Sequence, residues 1–557
     1  MEFKEFQREK IIVSCMCFII SISAAGVYYT ETIFPSLPLG FILAIGIILV
    51  FWRSTWRQYY FSLSVVIGLS VLYRVFIVVY PASLIGLDPD RYAMSIHSIA
   101  QTGTTDALTI YFYSNASAFP VLGAMFDVIS GVNSAKAMVI FPVAIGIVFP
   151  SSVAAIAQRL AKNKQASLYA AIIAAFGSIS IWLSYWPIPQ TIGAVLWVIL
   201  FVSLLLYEKT RRKELFIVAE VILIAQLYTH KMPLVIITIS FFAYSLIHLI
   251  DSVVIRETNI LNQRWIILGA LSVAVIILQW SFLTNYIIPV SYKFAELFST
   301  KSLTLQSPIA HSPSHAISAY NGLSGIIVRR LHAFVLIPLA GIGWLYLLTK
   351  NTRNRAAWIV LAASSAAVFF VALGVINPLA TSPVRALLMA EPFLAILVSI
   401  LATRAYNTSR HRWLYIGKVV FVVILVSQLS VVYAAPDHPI NARMYLSSEE
   451  VEAKQFGHER INSEIYADSY LADERTPYEI QRGIQRNHTY RPVVGELLNK
   501  NVASMDYKYM AYRTNVDIYR LPGGIWRLTW DPEKYLNDAS SQIYSNGDVD
   551  MYYKKQR

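Results

Sequence analysis

Apolar residues gather along this chain into long blocks, with polar residues between them. The blocks run over residues 11–29, 37–51, 60–80, 138–157, 166–183, 190–207, 215–228, 233–250, 265–288, 331–348, 356–376, 386–402 and 414–434. Several come close to the roughly 20 residues a helix needs to cross the hydrocarbon core of a bilayer. The pattern therefore predicts about 13 membrane helices. Blocks 37–51 and 215–228 are the short ones. Residues 119–130 are apolar, too short to span, and carry Asp127, which predicts an interfacial or half-inserted segment. From Pro436 the pattern changes, and charged residues become frequent and nearly balanced in sign. Ser447-Ser448-Glu449-Glu450 reads as a capping-box start to a helix. Residues 464–470 and 516–521 read as strands, and Asn546-Gly547 within 542–553 is a hairpin signal. The expected fold is mainly α: a polytopic transmembrane helical bundle over 1–434, with its core at about 60–434. A small α/β domain follows over 435–557, large enough for a modest core.

Composition supports the membrane reading. The 557 residues are 56% hydrophobic and 14% charged, against about 25% charged in soluble chains. The net charge of +13 is explained by where the basic residues fall. Roughly 20 lie in the N-terminal segment and in every second loop, against roughly 8 in the opposite loops. The positive-inside rule puts the first set in the cytoplasm, the N-terminus in and the C-terminus out. The charge then gives no reason to invoke nucleic acid. The first block reads as a signal anchor that stays. Loops 81–118 and 289–330, and the domain 435–557, are expected on the extracytoplasmic side of a multi-pass cell-membrane protein. A reaction there has no access to cytosolic ATP or nucleotide sugars, so an activated substrate has to arrive on a lipid. Cys15 and Cys17 are the only cysteines, which excludes a disulfide framework and a cysteine-type zinc site. No HExxH, GxSxG or P-loop occurs.

The candidate chemistry starts at Gly86-Leu87-Asp88-Pro89-Asp90-Arg91-Tyr92, just beyond the block 60–80. Pro89 biases Asp88 toward an extended conformation, so the two carboxylates are expected on a turn. Carboxylates beside a bilayer are costly unless they sit in water, hold a cation or handle a proton. Other polar groups lie near the outer ends of helices: His230 and Lys231, Arg329 and Arg330, and Arg385 with Glu391 further in. Each basic residue has a plain reading as an interface anchor. As a set they form a cationic collar suited to a lipid phosphate. Arg74 lies inside one block and Glu220 inside another, and the two are expected to pair. Asp468, Asp473 and Glu474 read as a solvated loop before a cation site. The long loop 289–330 is of a length that is usually functional or disordered.

In these residues the chain resembles the GT-C class of membrane glycosyltransferases, over about residues 60–434. The heptapeptide 86–92 is similar to the acidic first external loop of that class, in archaeal members and in the oligosaccharyltransferase catalytic subunit. Phe119-Pro120 with its amphipathic continuation, Tyr185-Trp186-Pro187-Ile188-Pro189-Gln190, Leu227-Tyr228-Thr229-His230-Lys231 and Ser382-Pro383-Val384-Arg385 look like further segments of it. The Trp-Trp-Asp-Tyr-Gly segment of the oligosaccharyltransferase subunit is absent, and so is a clear second Asp-X-Asp. The resemblance implies transfer of a sugar from a polyprenyl (dolichyl) phosphate donor to a glycan, lipid-linked glycan or protein acceptor. It implies Asp88 as general base, and Arg385 with Arg91, Lys231 or Arg329-Arg330 on the lipid phosphate. His230 is left to acceptor or phosphate. Asp90 is left to orient Asp88, to hold a divalent cation (Mg or Mn) with it, or only to form the turn. A flippase or transporter of a lipid-linked or anionic solute, and a lipid-linked polysaccharide polymerase, are the alternatives.

Overall fold

The computed structural model describes residues 2–30, 36–50, 55–106, 108, 115–255, 263–298, 314–318, 322–350, 355–376, 382–407, 443–484, 489–502, 505–521 and 524–555. Helices α1 (Glu2–Thr30), α2 (Ser36–Val50) and α3 (Trp56–Val79) open the chain. Three more, α4 (Leu87–Thr102), α5 (Ala118–Ser130) and α6 (Ser134–Ala137), follow before the next long one. Then come α7 (Ile140–Ala161), α8 (Lys164–Ala175), α9 (Ser178–Tyr185), α10 (Gln190–Thr210) and α11 (Lys213–Ala225). The remainder of the bundle is α12 (Lys231–Ile255), α13 (Gln263–Ile277), α14 (Ile287–Phe298), α15 (Gly322–Lys350), α16 (Arg355–Ile376) and α17 (Pro383–Asn407). Nine stretches among the described residues are long and apolar enough to cross a membrane. Helices α2 and α11 correspond to the two short blocks. Block 414–434 lies outside the described residues.

Helix α17 is the axis of the bundle. It is apolar on nearly every side, and every residue from 386 to 400 is buried, as a helix without a polar face must be. It packs against α7, α8, α9, α15 and α16. Helix α8 presents Ala166, Ala170, Ala171, Ala174 and Ala175, all buried. Small side chains of this kind let neighbouring backbones approach, which is how helices pack without a hydrophobic drive between them. Asn163 starts α8 by accepting from the Gln165 N–H at 2.7 Å.

Between α8 and α9 the helix breaks at Phe176-Gly177, and charged side chains close both broken ends. Arg74 of α3 is fully buried and donates to the Ala175 carbonyl at 2.8 Å, to Ser70 Oγ at 2.6 Å and to Ser180 Oγ at 3.1 Å. Glu391 of α17 accepts from the Ile179 and Ser180 N–H groups at 2.8 and 2.9 Å. Each satisfies backbone groups that a helix end leaves unpaired. This corrects the expected Arg74–Glu220 pair: among the described residues no ion pair joins them, and Arg74 is held by a helix end and two serines. Alternation of apolar blocks gives the order of helices but not which of them touch.

Helix α5 is two-faced as expected. Phe119, Pro120, Gly123 and Ala124 are buried, while Leu122, Met125, Val128 and Ile129 are exposed.

Beyond residue 442 the chain forms α18 (Ser448–Arg460), α19 (Ser469–Asp473) and α20 (Pro477–Gln481), with two sheets. The capping box at Ser447 and Glu450 is complete in both directions. One sheet has the order β3 (Tyr490–Pro492), β2 (Ile465–Ala467), β4 (Tyr509–Arg513), β8 (Val549–Tyr553), β7 (Ser541–Ser545). Strands β7 and β8 are the Asn546-Gly547 hairpin, with Gly547 at φ +97°, a conformation glycine adopts freely. The second sheet has the order β1 (Ala316–Ser318), β6 (Gly524–Leu528), β5 (Ile518–Leu521). Strand β1 comes from the loop 289–330, so part of that loop is built into this region. Asp468 does not sit in a solvated loop. It caps α19 at Tyr470 and Leu471 and holds the fully buried Arg513 with two bonds of 2.7 Å. Glu474 is buried as well.

Candidate active site

The heptapeptide 86–92 is a helix start. Gly86 takes φ +85°, which favours glycine, and a Cβ there would also press on the Trp186 ring at 3.2 Å. Helix α4 begins at Leu87, with Asp88, Pro89 and Asp90 in its first turn. This corrects the expectation of carboxylates on a turn. Proline is tolerated in a first turn, where the missing N–H is not needed, and acidic residues there suit the helix dipole. The consequence is geometric. Residues two apart on a helix point to different sides, so Asp88 and Asp90 diverge.

Asp88 is 38% exposed, and its Oδ2 lies 3.9 Å from Nη2 of Arg385, which is 39% exposed. Arg385 stands in the first turn of α17, where the helix dipole opposes a cation. Its place there serves something other than helix stability. Ser382 precedes the helix and its Oγ accepts from the Arg385 N–H at 3.5 Å. The Arg385 carbonyl accepts from Gln190 Nε2 at 2.7 Å. Gln190 is fully buried at the start of α10, and its Oε1 has no hydrogen-bond partner. The Trp186 Nε1–H, in the indole that packs on Gly86, is also buried without one.

His230 is buried within reach of the Arg385 charge. Its Nδ1 accepts from the Met232 N–H at 3.2 Å, which places the proton of a neutral ring on Nε2. Burial first, then the charges of Lys231 and Arg385, push its pKa well below the usual histidine range. Lys231 turns its ammonium onto the face of Tyr286, 3.5 Å from the ring centroid, a cation–π contact.

Of the expected site residues, the structure brings Asp88 and Arg385 together, and His230, with Lys231 next to it in the chain, lies within reach of the Arg385 charge. Arg91 is exposed on α4, and among the described residues it forms no ion pair. The backbone of Arg329 and Arg330 is in α15, but their side chains lie outside the described residues. Asp90 is 2% exposed and points into the C-terminal region, where its Oδ2 accepts from the Arg475 N–H at 2.6 Å. It lies on the other side of α4 from Asp88, so the two do not converge on one point. Among the described residues no group of three His, Cys, Asp or Glu converges as a metal site would require. Gln190, Trp186 and Tyr286 carry no charge to mark them as site residues in sequence. Gly86 is the one local sign, a glycine directly before an acidic helix start.

No protein-family model and no curated protein matches the chain. Among solved structures it is similar to the oligosaccharyltransferase of Archaeoglobus fulgidus in the apo form: 11% identity, 83% of this chain, 71% of that chain, TM-score 0.49. It is also similar to ArnT from Cupriavidus metallidurans in the apo state: 11% identity, 88% of this chain, 97% of that one, TM-score 0.48. A third is the arabinofuranosyltransferase AftD from Mycobacteria: 11% identity, 90% of this chain, 42% of that one, TM-score 0.44. Likenesses of this size assign neither family nor activity.

Proposed function

We propose that the chain is a membrane glycosyltransferase. It moves a sugar from a polyprenyl (dolichyl) phosphate donor to a hydroxyl of a glycan, lipid-linked glycan or protein on the extracytoplasmic face. The observation that carries the reading is the meeting of Asp88 and Arg385, at the starts of two helices far apart in sequence, with both side chains reachable from solvent. The acceptor oxygen attacks the anomeric carbon, and its proton passes to Asp88. The bond from that carbon to the phosphate oxygen breaks, and the electron pair leaves with the lipid phosphate. Arg385 stabilises the charge that grows there. Before the donor binds, Asp88 neutralises Arg385. An arriving phosphate competes for the guanidinium and frees the carboxylate to act as base. Neutral His230 offers a donor beside the same phosphate or the acceptor. A divalent cation at Asp88 would need its other ligands from segments other than Asp90.

A transporter would want Arg74 and Glu220 on a water-filled path. Arg74 is instead fully buried and bonded to the broken helix end, which favours the enzyme reading.

The test compares wild type with Asp88→Asn in purified membranes at matched expression. Each receives a radiolabelled polyprenyl-phosphate hexose, and label leaving the lipid is followed. Wild type transfers, and Asp88→Asn falls at least about 100-fold, the low end for a general base. Equal transfer by the two proteins would remove Asp88 from the mechanism.

A further inference from the structure

Asp88 stands between three anchored neighbours, and each is anchored to the same partner. Ser83 Oγ accepts from the Leu446 N–H at 2.8 Å. The Gly86 N–H donates to the Met444 carbonyl at 2.8 Å. Asp90 Oδ2 accepts from the Arg475 N–H at 2.6 Å. Helix α20 packs against α4 on that same side. The first turn of α4 is therefore fixed by residues 444–475 and not by the bundle alone.

Asp90 is the buried member of this set, and its surroundings are unusual. Its Oδ1 and the Glu474 carboxylate are buried against each other, and the backbone N–H of Gly86 is the one N–H that acts on Glu474. The two carboxyls face each other. Burial first, then each other's charge for Glu474, raises both pKa values. A proton held between them supplies the missing hydrogen bond. Lys454, buried, donates to the Glu474 carbonyl and pairs with Glu479 at 3.1 Å, and the Arg475 guanidinium lies 3.7 Å from Glu479. The ion pairs of this pocket are thus made with Glu479, while the Lys454 charge also reaches Asp90 and Glu474 without offsetting their burial. A carboxyl buried at such cost, on the side of α4 opposite the reacting residue, has a role in placement.

We propose that Asp90 is a positioning residue for the transfer reaction: seated in the C-terminal region against Glu474 and the Arg475 N–H, it fixes the first turn of α4 and so holds Asp88 within reach of Arg385. The inference rests on the glycosyltransferase reading for its kinetic consequence only. The docking itself is measurable without any turnover.

The experiment uses the full chain in lipid nanodiscs, with Asp90→Ala and Asp90→Asn. Hydrogen exchange over residues 83–94 reads the docking. Transfer from the labelled polyprenyl-phosphate hexose reads the reaction. In Asp90→Ala, protection of 83–94 is lost and kcat falls about 100-fold, the cost of an ångström of misplacement. The KM for donor stays within about threefold, because Arg385 is untouched. Asparagine accepts from the Arg475 N–H and donates to Glu474, so Asp90→Asn restores protection and recovers most of the rate. Asp90→Ser, too short to reach Arg475 but polar, takes the place of the alanine variant should that one not fold. Unchanged exchange in the short variants, or an asparagine variant as impaired as alanine, overturns the inference. If wild type transfers no sugar while exchange behaves as stated, the functional reading fails and the positioning of α4 stands.

Discussion

Glu479 shows how one residue can override the cost of its own burial. Burial by itself raises its pKa. Lys454 at 3.1 Å, the His458 ring nitrogen at 2.8 Å and the Thr476 N–H at 2.7 Å outweigh that and hold it down to about 2. A free glutamate titrates near 4.3. The stability Glu479 contributes is therefore present above about pH 4 and is lost as pH falls from there through about 2. Its size is on the order of 3 kcal/mol. Asp90 and Glu474 shift the opposite way, so their contribution strengthens on acidification and a single melting curve mixes the two. The difference between wild type and Glu479→Gln reports chiefly on Glu479, whose charge is a minor cause of the Asp90 shift. We expect wild type to melt well above the variant at pH 7, and the gap to narrow steadily between pH 4 and pH 2. A gap of constant size across that range would show that the carboxylate is not held by these partners.

Among elements, the broken pair α8–α9 is where the bundle depends most on a few polar groups. Glu391 takes two backbone N–H groups and Arg74 takes the carbonyl of the opposite helix end, and both touch Ser180. Glu391→Ala leaves those two buried donors without an acceptor and takes a negative charge from near the buried guanidinium. The expected cost is about 3–5 kcal/mol, seen as a lowered thermal midpoint of the detergent-solubilised chain. Glu391→Gln, which keeps one acceptor, costs less. If alanine and glutamine melt like wild type, the break is held by packing and not by these bonds. The break also marks the limit of reading elements from sequence. Long apolar blocks announce their helices because lipid forces the backbone to bond within each segment. The capping box at Ser447 and the hairpin at Asn546-Gly547 were equally legible, being local chemistry. Residues 166–183 read as one block because Phe176 and Gly177 do not interrupt the apolar run, and the groups that end α8 and start α9 lie on α3 and α17. The candidate site divides the same way. Asp88, His230, Lys231 and Arg385 stood out as charged or titratable residues at the ends of apolar blocks. That Asp90 faces away follows from α4 starting at Leu87, which the Asp-Pro-Asp order alone left as a turn.

For the whole molecule, the question is what joins the helical bundle to the C-terminal sheets. The contacts at Ser83, Gly86 and Asp90 are one joint. A second is the segment between α14 and α15. There β1 pairs antiparallel with β6, Ile317 opposite Arg527. The His315 N–H donates to the Leu498 carbonyl at 3.1 Å, and the His315 carbonyl accepts from the Thr529 N–H at 3.1 Å. Lys231, whose neighbour His230 lines the candidate site, stacks on Tyr286 just before α14. Tyr286 and β1 thus belong to the same stretch of chain between α13 and α15. His315→Pro removes the bond from its N–H to Leu498, one of the two backbone bonds just ahead of a strand that has only three residues. We expect proteolytic cleavage within residues 299–330 to accelerate several-fold in the folded, lipid-embedded variant while its thermal midpoint stays near wild type, because opening this joint is local. His315→Ala keeps the N–H and serves as the control. Equal cleavage of the proline and alanine variants would mean that the β1 pairing is not what holds the segment. The α4 joint would then be left as the bundle's main tie to the C-terminal region.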